Sequence, residues 1–454
     1  MLRNLILSCS LLVAQQVCTA QNLSGKQWQD AIGDWYPWIK QFHPGYGYYV
    51  SAQQLDSQFY RLRNLFSENS TISEWEAYTA LKTFVAGMQC GHSELYAKQG
   101  SPVSRSIKLI PYAGQIRVLR GDSMVKTGDR VYCIQNTSAD SIYRTLRNWV
   151  SIDGFHEASR DYFLSRSLYL NQWLEHSASP QKDWDLTLIH QQDTLHYCLT
   201  SQAPVKPRVR NRNFIKNPKI QNLEQINDST VLLSIRQFNA GLHVFTRLKI
   251  LRKIKSLNPS LLILDLRDNP GGRISAALHY LRFFINQTCE FEVYRKKTTQ
   301  SVPFKLRFLL KFSDRYFNLH ARHIQKQDTQ FYQYQLKPYQ NKGYKGKLTV
   351  LINKGTFSAA VLLASYLKLR PNTRFIGSET GGGADGCNAG VFYHYRFKHL
   401  PFTYRLPLYR MVQHNPQNTQ GRGLLPDIEC QYELMERLLK KDKEMEAALK
   451  HSFN

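Results

Sequence analysis

The pattern of hydrophobic and polar positions divides the chain into a helical start, a β-rich middle and an α/β remainder. Up to about residue 88, apolar residues recur three to four positions apart, as in Asp30–Pro44 (DAIGDWYPWIKQFHP), which predicts amphipathic helices. Ser73, with Glu76 three residues later, predicts a capping box and a helix that ends near Met88. Between about residues 101 and 203, short alternating runs predict strands, with a hairpin turning around residues 191–193.

From Thr230 onward, strands and helices alternate. Short apolar runs predict strands, and longer periodic runs predict helices. The expected strands are Val231–Ile235, Ser260–Leu266 and Leu348–Ile352, and the expected helices are Ala139–Val150, Glu157–Trp173, Leu242–Leu257, Ile274–Ile285, a segment after Ser358, and Tyr432–Leu449. Residues 313–347 are polar and rich in tyrosine, which predicts a long excursion without regular structure. The basic, proline-flanked residues 206–219 predict a linker.

The first residues are typical of a targeting leader. Arg3 is followed by an apolar run at Leu5–Val17 and by the small residues Thr19 and Ala20. The run is too short to span a membrane. We therefore expect a leader over residues 1–20, a mature chain from residue 21, and a periplasmic or secreted protein with no integral membrane span.

Charge and cysteine content narrow the classes of function. The formal net charge is +26, but the 60 basic residues are spread along the chain and no nucleic-acid motif accompanies them. Because the basic residues are spread out and no such motif is present, we expect no nucleic-acid partner. The positive charge favours contact with anionic polymers or acidic substrates. The six cysteines beyond the leader show no zinc-type spacing, so we expect neither a metal nor a cofactor.

Three stretches carry candidate chemistry, and each has a plain structural alternative. Ser358 stands between a strand and a helix, where serine is either an N-cap or a nucleophile. The glycines of residues 261–272 (LLILDLRDNPGG) and 380–390 (TGGGADGCNAG) either form ordinary turns or let backbone amides approach a ligand. In residues 90–95 (CGHSEL), His92 is a candidate general base, while Cys90 is either a second nucleophile or a buried structural thiol.

The order of these motifs resembles the C-terminal-processing and tricorn-like serine peptidases, which have a ClpP/crotonase-type core. The matching stretches are Gly91-His92, DLRDNPGG ending at Gly272, NKGTFSAA around Ser358, IGSETGGG ending at Gly383, and GRGLLPD at residues 421–427. Residues 126–134 (KTGDRVYCI) resemble the Gly-Asp-x-Ile element of a PDZ-like domain. The resemblance implies a helical domain over residues 21–100, a PDZ-like domain over 101–205 and a ClpP/crotonase-like core over 206–454.

The resemblance also implies roles for particular residues. Ser358 would be the nucleophile and His92 the general base, because glycine stands where the processing proteases carry the lysine of a Ser–Lys pair. The amide of Ala359, with that of Gly271 or Gly272, would form the oxyanion hole. The acid that orients His92 is open. Relatives carry it near the position of Gln420, and the candidates here are Glu379, Asp385 and Glu94.

The sequence therefore predicts an extracytoplasmic serine endopeptidase acting on polypeptide substrates. An alternative of another class is a non-catalytic protein that binds hydrophobic ligands or peptides on the same fold, as interphotoreceptor retinoid-binding proteins resemble this family. The sequence does not predict the oligomeric state or the cleavage preference.

Overall fold

A computed structural model of the chain describes residues 22–97, 104–177, 183–202, 220–238, 244–298, 302–325, 328–339, 343–413, 417, 419–432, 436 and 441–450. The expected leader over residues 1–20 and the expected linker over residues 206–219 lie outside these ranges. Within them the fold is mixed α/β and multidomain.

The helices are α1 (Gly25–Phe42), α2 (Ala52–Arg63), α3 (Glu74–Gly87), α4 (Ala139–Asn148), α5 (Glu157–Arg166), α6 (Tyr169–Ser177), α7 (Val244–Leu257), α8 (Ile274–Phe284), α9 (Phe304–His320), α10 (Ala359–Leu367) and α11 (Lys443–Lys450). None of the helices in the described residues is long and apolar enough to cross a membrane.

The strands are β1 (Leu23–Ser24), β2 (Thr71–Ile72), β3 (Glu94–Ala97), β4 (Ser104–Arg105), β5 (Lys108–Tyr112), β6 (Gln115–Arg120), β7 (Arg130–Ile134), β8 (Thr137–Ser138), β9 (Trp184–His190), β10 (Asp193–Leu199), β11 (Ser201–Gln202), β12 (Gln221–Gln225), β13 (Thr230–Ile235), β14 (Leu261–Asp265), β15 (Cys289–Lys296), β16 (Arg322–Gln325), β17 (Thr329–Leu336), β18 (Lys347–Ile352), β19 (Thr373–Gly377), β20 (Cys387–Arg396), β21 (Phe402–Val412) and β22 (Ile428–Glu429).

Most of these strands belong to three six-stranded sheets, and β1 with β2 and β4 with β11 form two-stranded sheets. The first has the order β12-β13-β14-β18-β19-β22 and is parallel except for its edge strand β12. Its central strands β14 and β18 are almost wholly buried, which explains their continuous apolar sequence. The second has the order β16-β17-β15-β21-β20, with β3 paired to β21. The third has the order β10-β9-β7-β6-β5, with β8 paired to β7.

The N-terminal helices pack directly on the second sheet. Each of α1, α2 and α3 begins with a capping box, including the predicted one at Ser73 and Glu76. Trp35 of α1 is fully buried, with its ring centroid 5.8 Å from that of Phe84 in α3 and 5.1 Å from that of Tyr404 in β21. Since β3 follows α3 and joins the same sheet, the N-terminal segment and the α/β part share one core.

Most predicted elements after residue 100 are present, and the hairpin is confirmed with His190 paired to Asp193. The helix predicted over Glu157–Trp173 is wrong as a single element, because α5 ends at Arg166 and α6 begins at Tyr169. Ser167 is extended between them and its hydroxyl accepts a hydrogen bond from the amide of Tyr169 at 3.3 Å, a local bond that competes with continued helix.

The expectation that residues 313–347 lack regular structure is also wrong. The segment contains the second half of α9 and the hairpin of β16 and β17, which extends the second sheet beside β15. Ring contacts across the sheet replace the missing apolar periodicity: Phe291 stacks on Tyr334 with a centroid distance of 4.6 Å, and Tyr294 lies 5.1 Å from Phe331.

The helix predicted over Tyr432–Leu449 is wrong as a single element, because residues 441 and 442 are not helical and α11 begins at Lys443; Glu436 is helical, and residues 433–435 and 437–440 lie outside the described ranges. Tyr432 is not helical. Its hydroxyl accepts a hydrogen bond from the amide of Lys443 at 2.9 Å and donates one to Glu444, so its side chain caps the helix that it was expected to join.

Replacing Trp35 tests how much the junction of α1 with the second sheet contributes to stability. We expect Trp35→Ala to lower the free energy of unfolding by about 3–5 kcal/mol, the usual cost of emptying a buried aromatic site. The matched control is Trp35→Phe, which keeps most of the ring and removes an indole N–H that has no partner among the described residues. Urea denaturation measures both, and equal losses in the two variants would contradict this account.

Candidate active site

The site lies where two neighbouring parallel strands end. Because β14 and β18 are adjacent and parallel, their carboxyl ends meet at one edge of the first sheet. The loops that follow them are tied together: the amide of Asp268 donates to Asn353 Oδ1 at 2.9 Å, and the amide of Phe357 donates to the carbonyl of Asn269 at 2.9 Å. These bonds place Ser358 beside the glycines at 271 and 272.

Ser358 has a strained backbone and a hydroxyl that is not used for capping. It occupies the N-cap position of α10 with φ 54° and ψ −123°, in a region that non-glycine residues rarely adopt. Its carbonyl accepts bonds from the amides of Val361 and Leu362 at 2.9 and 3.1 Å, but its side chain makes no cap hydrogen bond. Of the two roles that the sequence left open for this serine, capping of the helix by its side chain is therefore wrong.

The Ser358 hydroxyl instead meets a histidine from the other end of the chain. His92 Nε2 lies 3.1 Å from Ser358 Oγ, although the two residues are 266 positions apart. The imidazole is buried between two aromatic rings, with centroids 4.9 Å from Phe357 and 6.0 Å from Phe392. Sequence analysis singled out both members of this pair, and the structure brings them together.

Burial and charge keep His92 neutral. Burial and, to a smaller extent, the nearby guanidinium of Arg405 together lower its pKa to about 3. No group among the described residues hydrogen-bonds to His92 Nδ1, which is also buried. A neutral imidazole can accept a proton and so act as a base. No hydrogen bond at Nδ1 determines which of the two ring nitrogens carries the proton of the neutral form.

The turn that carries His92 is anchored on both sides. Asp153 Oδ1 accepts a bond from the amide of Gly91 at 2.8 Å, and Arg405 Nε donates to the carbonyl of His92 at 2.8 Å. Ser93 Oγ accepts from the hydroxyl of Tyr404 at 3.0 Å. The backbone of the turn is thus fixed from the loop after α4 and from β21.

A second buried histidine completes this anchorage. His43 Nδ1 accepts the amide proton of Gly45 at 3.1 Å, so its proton resides on Nε2, which donates to Ser93 Oγ at 3.0 Å. Burial lowers the pKa of His43 to about 3, with Lys296 and Arg410 acting in the same direction. His43 is therefore a neutral structural support.

None of the predicted orienting acids touches His92. Glu379 pairs with His156 Nε2 at 3.0 Å and with Arg422 at 2.7 Å. Burial raises the pKa of Glu379, but the hydrogen bonds from His156 and Arg422 outweigh this and bring it to about 2. Glu94 forms an ion pair with the buried Lys82.

Asp385 is held elsewhere as well, and Gln420 does not take its place. The carboxylate of Asp385 accepts bonds from the hydroxyls of Tyr48 and Tyr49 at 2.9 and 3.0 Å and lies 3.4 Å from a nitrogen of Arg410. Gln420 Nε2 donates to the carbonyl of Tyr48 at 3.4 Å. The acid candidates stabilise the surroundings of the site and do not orient its base.

Gly271 and Gly272 differ in whether their backbone amides already have a hydrogen-bond acceptor. The amide of Gly271 already donates to Asn269 Oδ1 at 2.9 Å. Within the described residues, the amides of Gly272 and Ala359 donate to no other group. A Cβ atom at Gly271, which has φ 91°, would lie 2.8 Å from Ser358 Cβ, so only glycine permits this approach.

Cys90 does not compete for the role of nucleophile. Its thiol is buried, accepts a hydrogen bond from Asn388 at 3.4 Å, and has a pKa raised by burial. An uncharged, enclosed thiol is inert. Among the described residues, no group of three His, Cys, Asp or Glu side chains is placed to hold a metal ion.

Residues 230–430, which include both strand ends and Ser358, match peptidase family S41. This chain carries an S41 serine-type peptidase domain. The family resemblance read from the sequence is thereby confirmed, and the protein is a hydrolase. No curated protein matches the chain at the sequence level.

Solved structures share the fold of this chain. Mature CPAF superposes with a TM-score of 0.64 at 13% identity, covering 94% of this chain and 96% of CPAF. A putative peptidase from Parabacteroides merdae ATCC 43184 gives a TM-score of 0.50 at 14% identity, covering 94% of this chain and 96% of that one. At these identities the likeness is one of fold.

Sequence reasoning missed the residues that position the site of Ser358 and His92. Asp153 lies in a loop of the β-rich segment, and His43 lies at the C-terminal end of α1, so neither belongs to a local motif. Phe357 is adjacent to Ser358, but its stacking on the imidazole depends on the fold. Only the long-range pairing of the turn with β21 and the loop after α4 reveals these roles.

Removing the acceptor for the Gly91 amide tests this anchorage. We expect Asp153→Ala to lower the single-turnover rate of peptide cleavage about 10²-fold, since small displacements of catalytic groups have effects of this size. Asp153→Asn keeps an oxygen acceptor and should retain most of the rate. Circular dichroism melting reports the folding of both variants. An Ala variant that is folded and as fast as wild type would show that Asp153 does not position His92.

Proposed function

We propose that the chain is a serine endopeptidase in which Ser358 is the nucleophile and His92 the general base, as in the tricorn-like enzymes. The observation that carries the proposal is the 3.1 Å contact between His92 Nε2 and Ser358 Oγ. The alternative Ser–Lys arrangement finds no support. A Cβ atom at Gly382, in the glycine run that replaces the Gly-Lys-Gly of the processing proteases, would lie 3.0 Å from the Ser358 amide nitrogen, a tight contact.

In the proposed first step, the Ser358 hydroxyl attacks the carbonyl carbon of the scissile peptide. The hydroxyl proton moves to His92 Nε2, which requires the tautomer that carries its proton on Nδ1. The strained φ of Ser358 places its hydroxyl at the start of α10, directed towards the imidazole and away from the helix amides. The serine is thus held ready for attack.

The tetrahedral intermediate needs donors for its negative oxygen. We assign this role to the amides of Gly272 and Ala359, because neither has another acceptor within the described residues. Ala359 follows Ser358, and Gly272 follows Gly271, where a Cβ atom would lie 2.8 Å from Ser358 Cβ. The N-terminal end of the buried helix α10 adds favourable partial charge. Each such donor is typically worth about 3 kcal/mol in the transition state. Gly271 serves as the turn residue that permits the approach.

Collapse of the intermediate completes the first half of the reaction. His92 returns its proton to the leaving amine, and the acyl group remains on Ser358 as an ester. A water molecule then attacks the ester carbonyl while His92 accepts one of its protons, and the acid product leaves. No step requires a metal or a cofactor.

The unpartnered Nδ1 of His92 sets the expected level of activity. Each step passes through an imidazolium, which burial and Arg405 both disfavour. In serine peptidases, disrupting the group that orients the histidine lowers kcat about 10⁴-fold. The anchored turn supplies orientation but not negative charge, so we expect a slow enzyme.

We further propose the domain roles implied by the resemblance. The sheet of β5, β6, β7, β9 and β10 with α4 and α5 supports a PDZ-like domain over residues 101–205, with β5 and β10 as edge strands to which a peptide could add. The parallel sheet supports a ClpP/crotonase-like core over residues 206–454. The leader pattern supports a periplasmic or secreted peptidase with polypeptide substrates.

One observation favours a second candidate, a binding protein without catalysis. His92 Nδ1 has no hydrogen-bond partner among the described residues, so nothing in them selects the tautomer that the reaction requires. A chain that binds hydrophobic ligands or peptides would tolerate this arrangement. Turnover by the wild-type chain decides between the two candidates.

The first test is cleavage of an unfolded protein by the mature chain from Gln21. We expect wild type to cut the substrate, and Ser358→Ala and His92→Ala to lose cutting because each removes one side of the proton transfer. Mass spectrometry of the products measures cleavage and its side-chain preference. Cleavage that persists in folded Ser358→Ala would refute the assignment of the nucleophile, and a folded wild type without cleavage would favour the binding protein.

The second test is the pH dependence of cleavage. Since burial lowers the pKa of His92 to about 3, the free enzyme keeps a neutral base across the acidic range. Burial also raises the pKa of Asp153, the acceptor for the Gly91 amide, to about 6, so the measurement uses Asp153→Asn, which has no carboxyl to titrate. In that variant we expect kcat/KM to change little between about pH 7 and about pH 5, whereas an ordinary histidine titrates at about 6.5. A midpoint at about 6.5 in Asp153→Asn would contradict the buried environment of His92.

The lowered pKa of His92 also makes the stability of the protein depend on pH, which limits the pH range in which cleavage can be measured. Between about pH 6.5 and about pH 3 the unfolded chain binds a proton on this histidine and the native chain does not. Stability therefore falls as the pH falls, and circular dichroism at each pH defines where the protein is still folded.

A further inference from the structure

The outer face of α9 carries an exposed row of large apolar side chains. Phe304, Phe308, Phe312 and Tyr316 recur at four-residue spacing and are 74%, 63%, 67% and 48% exposed, and Leu319 is 74% exposed. Residues four apart lie along one face of a helix, so the four aromatic side chains form one continuous strip, here called the aromatic row. Single exposed apolar residues are ordinary, but a continuous strip marks an interaction surface.

The packing of α9 on the second sheet fixes this orientation. Leu306, Leu310 and Phe317 are buried on its inner face. On the same helix, Asp314 forms two hydrogen bonds with Arg295 of β15, at 2.6 and 2.9 Å. The inner face therefore cannot rotate outward without breaking a charged pair, and the aromatic row stays exposed.

A row of cations runs beside the aromatic row. Arg307, Lys311 and Arg315 are also spaced by four residues, are exposed, and line a cavity of about 530 Å³ next to the helix. The helix thus presents parallel apolar and basic rows. This is the composition of helices that lie in the interface of a membrane, with aromatic groups at the acyl boundary and cations at the phosphates.

The charge decides between a membrane and a second copy of the chain. In a symmetric dimer the same patch faces itself, so three cations from each copy would be brought into one interface. An anionic lipid surface attracts each cation and accepts the aromatic side chains as well. We propose that the outer face of α9 docks the protein peripherally on membranes rich in anionic lipid. This inference does not rest on the proposed roles of Ser358 and His92.

The experiment is flotation of the mature chain from Gln21, without the apolar leader, with vesicles of phosphatidylcholine alone or of phosphatidylcholine and phosphatidylglycerol in equal parts. We expect binding to the anionic vesicles. Phe308→Ser with Phe312→Ser should weaken it about tenfold or more, because two buried rings are lost. Replacing the three cations by glutamine should weaken it comparably.

Two further variants make the result specific to this face. Phe245→Ser removes a phenylalanine that is 81% exposed on α7, another basic helix, and should leave binding unchanged. Phe308→Trp should bind at least as tightly as wild type, and its added fluorescence should be quenched by brominated lipid. Because this variant is expected to keep binding and to add a fluorescence signal, misfolding could not produce the expected result.

Three outcomes would overturn the proposal. They are absence of binding by folded wild type, binding that folded Phe308→Ser with Phe312→Ser leaves unchanged, and absence of lipid quenching in Phe308→Trp. Sedimentation equilibrium tests a further outcome that would overturn the proposal. A wild-type dimer that the same double variant dissociates would identify the face as a contact between copies.

Discussion

Hydrogen bonds from three separate parts of the chain hold the turn at residues 90–93 against the ends of β14 and β18. They come from the end of α1, from the loop after α4 and from β21. The turn itself follows α3, so its anchorage brings the N-terminal helices, the β-rich segment and the second sheet to one point. The distance between His92 and Ser358 depends on all of them. This dependence explains why the helical segment shares its core with the α/β part.

The surroundings of His92 hold its imidazole in place but do not stabilise the positive charge of its protonated form. Rings on both sides and Arg405 on its carbonyl hold the imidazole in place, yet the same burial and cation make its protonated form costly. Carboxylates that could offset this cost are close in sequence to the site motifs but are paired with Lys82, His156 or Arg410. The site is therefore ordered, neutral and without a counter-charge in the described residues.

Local patterns predicted what depends on local structure. The strand–turn–helix around Ser358, the capping box at Ser73 and the hairpin at residues 191–193 follow from residue type and spacing, and all are present. Residues 313–347 were mispredicted because rings that pair across strands leave no periodicity along the chain.

The site shows the same division between local and long-range information. The family resemblance suggested Ser358 and His92 but could not assign the acids, since the partners of Glu379 and Asp385 come from distant loops. Asp153 and His43 belong to no motif at all. Their roles exist only in the folded chain, where their hydrogen bonds fix the turn.

The central claim is that buried, neutral His92 activates Ser358, and a fluorophosphonate tests it without any knowledge of the natural substrate. The reagent phosphonylates an activated serine, and peptide mapping by mass spectrometry locates the adduct. The account predicts one adduct on Ser358 in wild type and loss of that adduct in folded His92→Ala. An adduct at another residue, or labelling of Ser358 at the same rate without the imidazole, would contradict it.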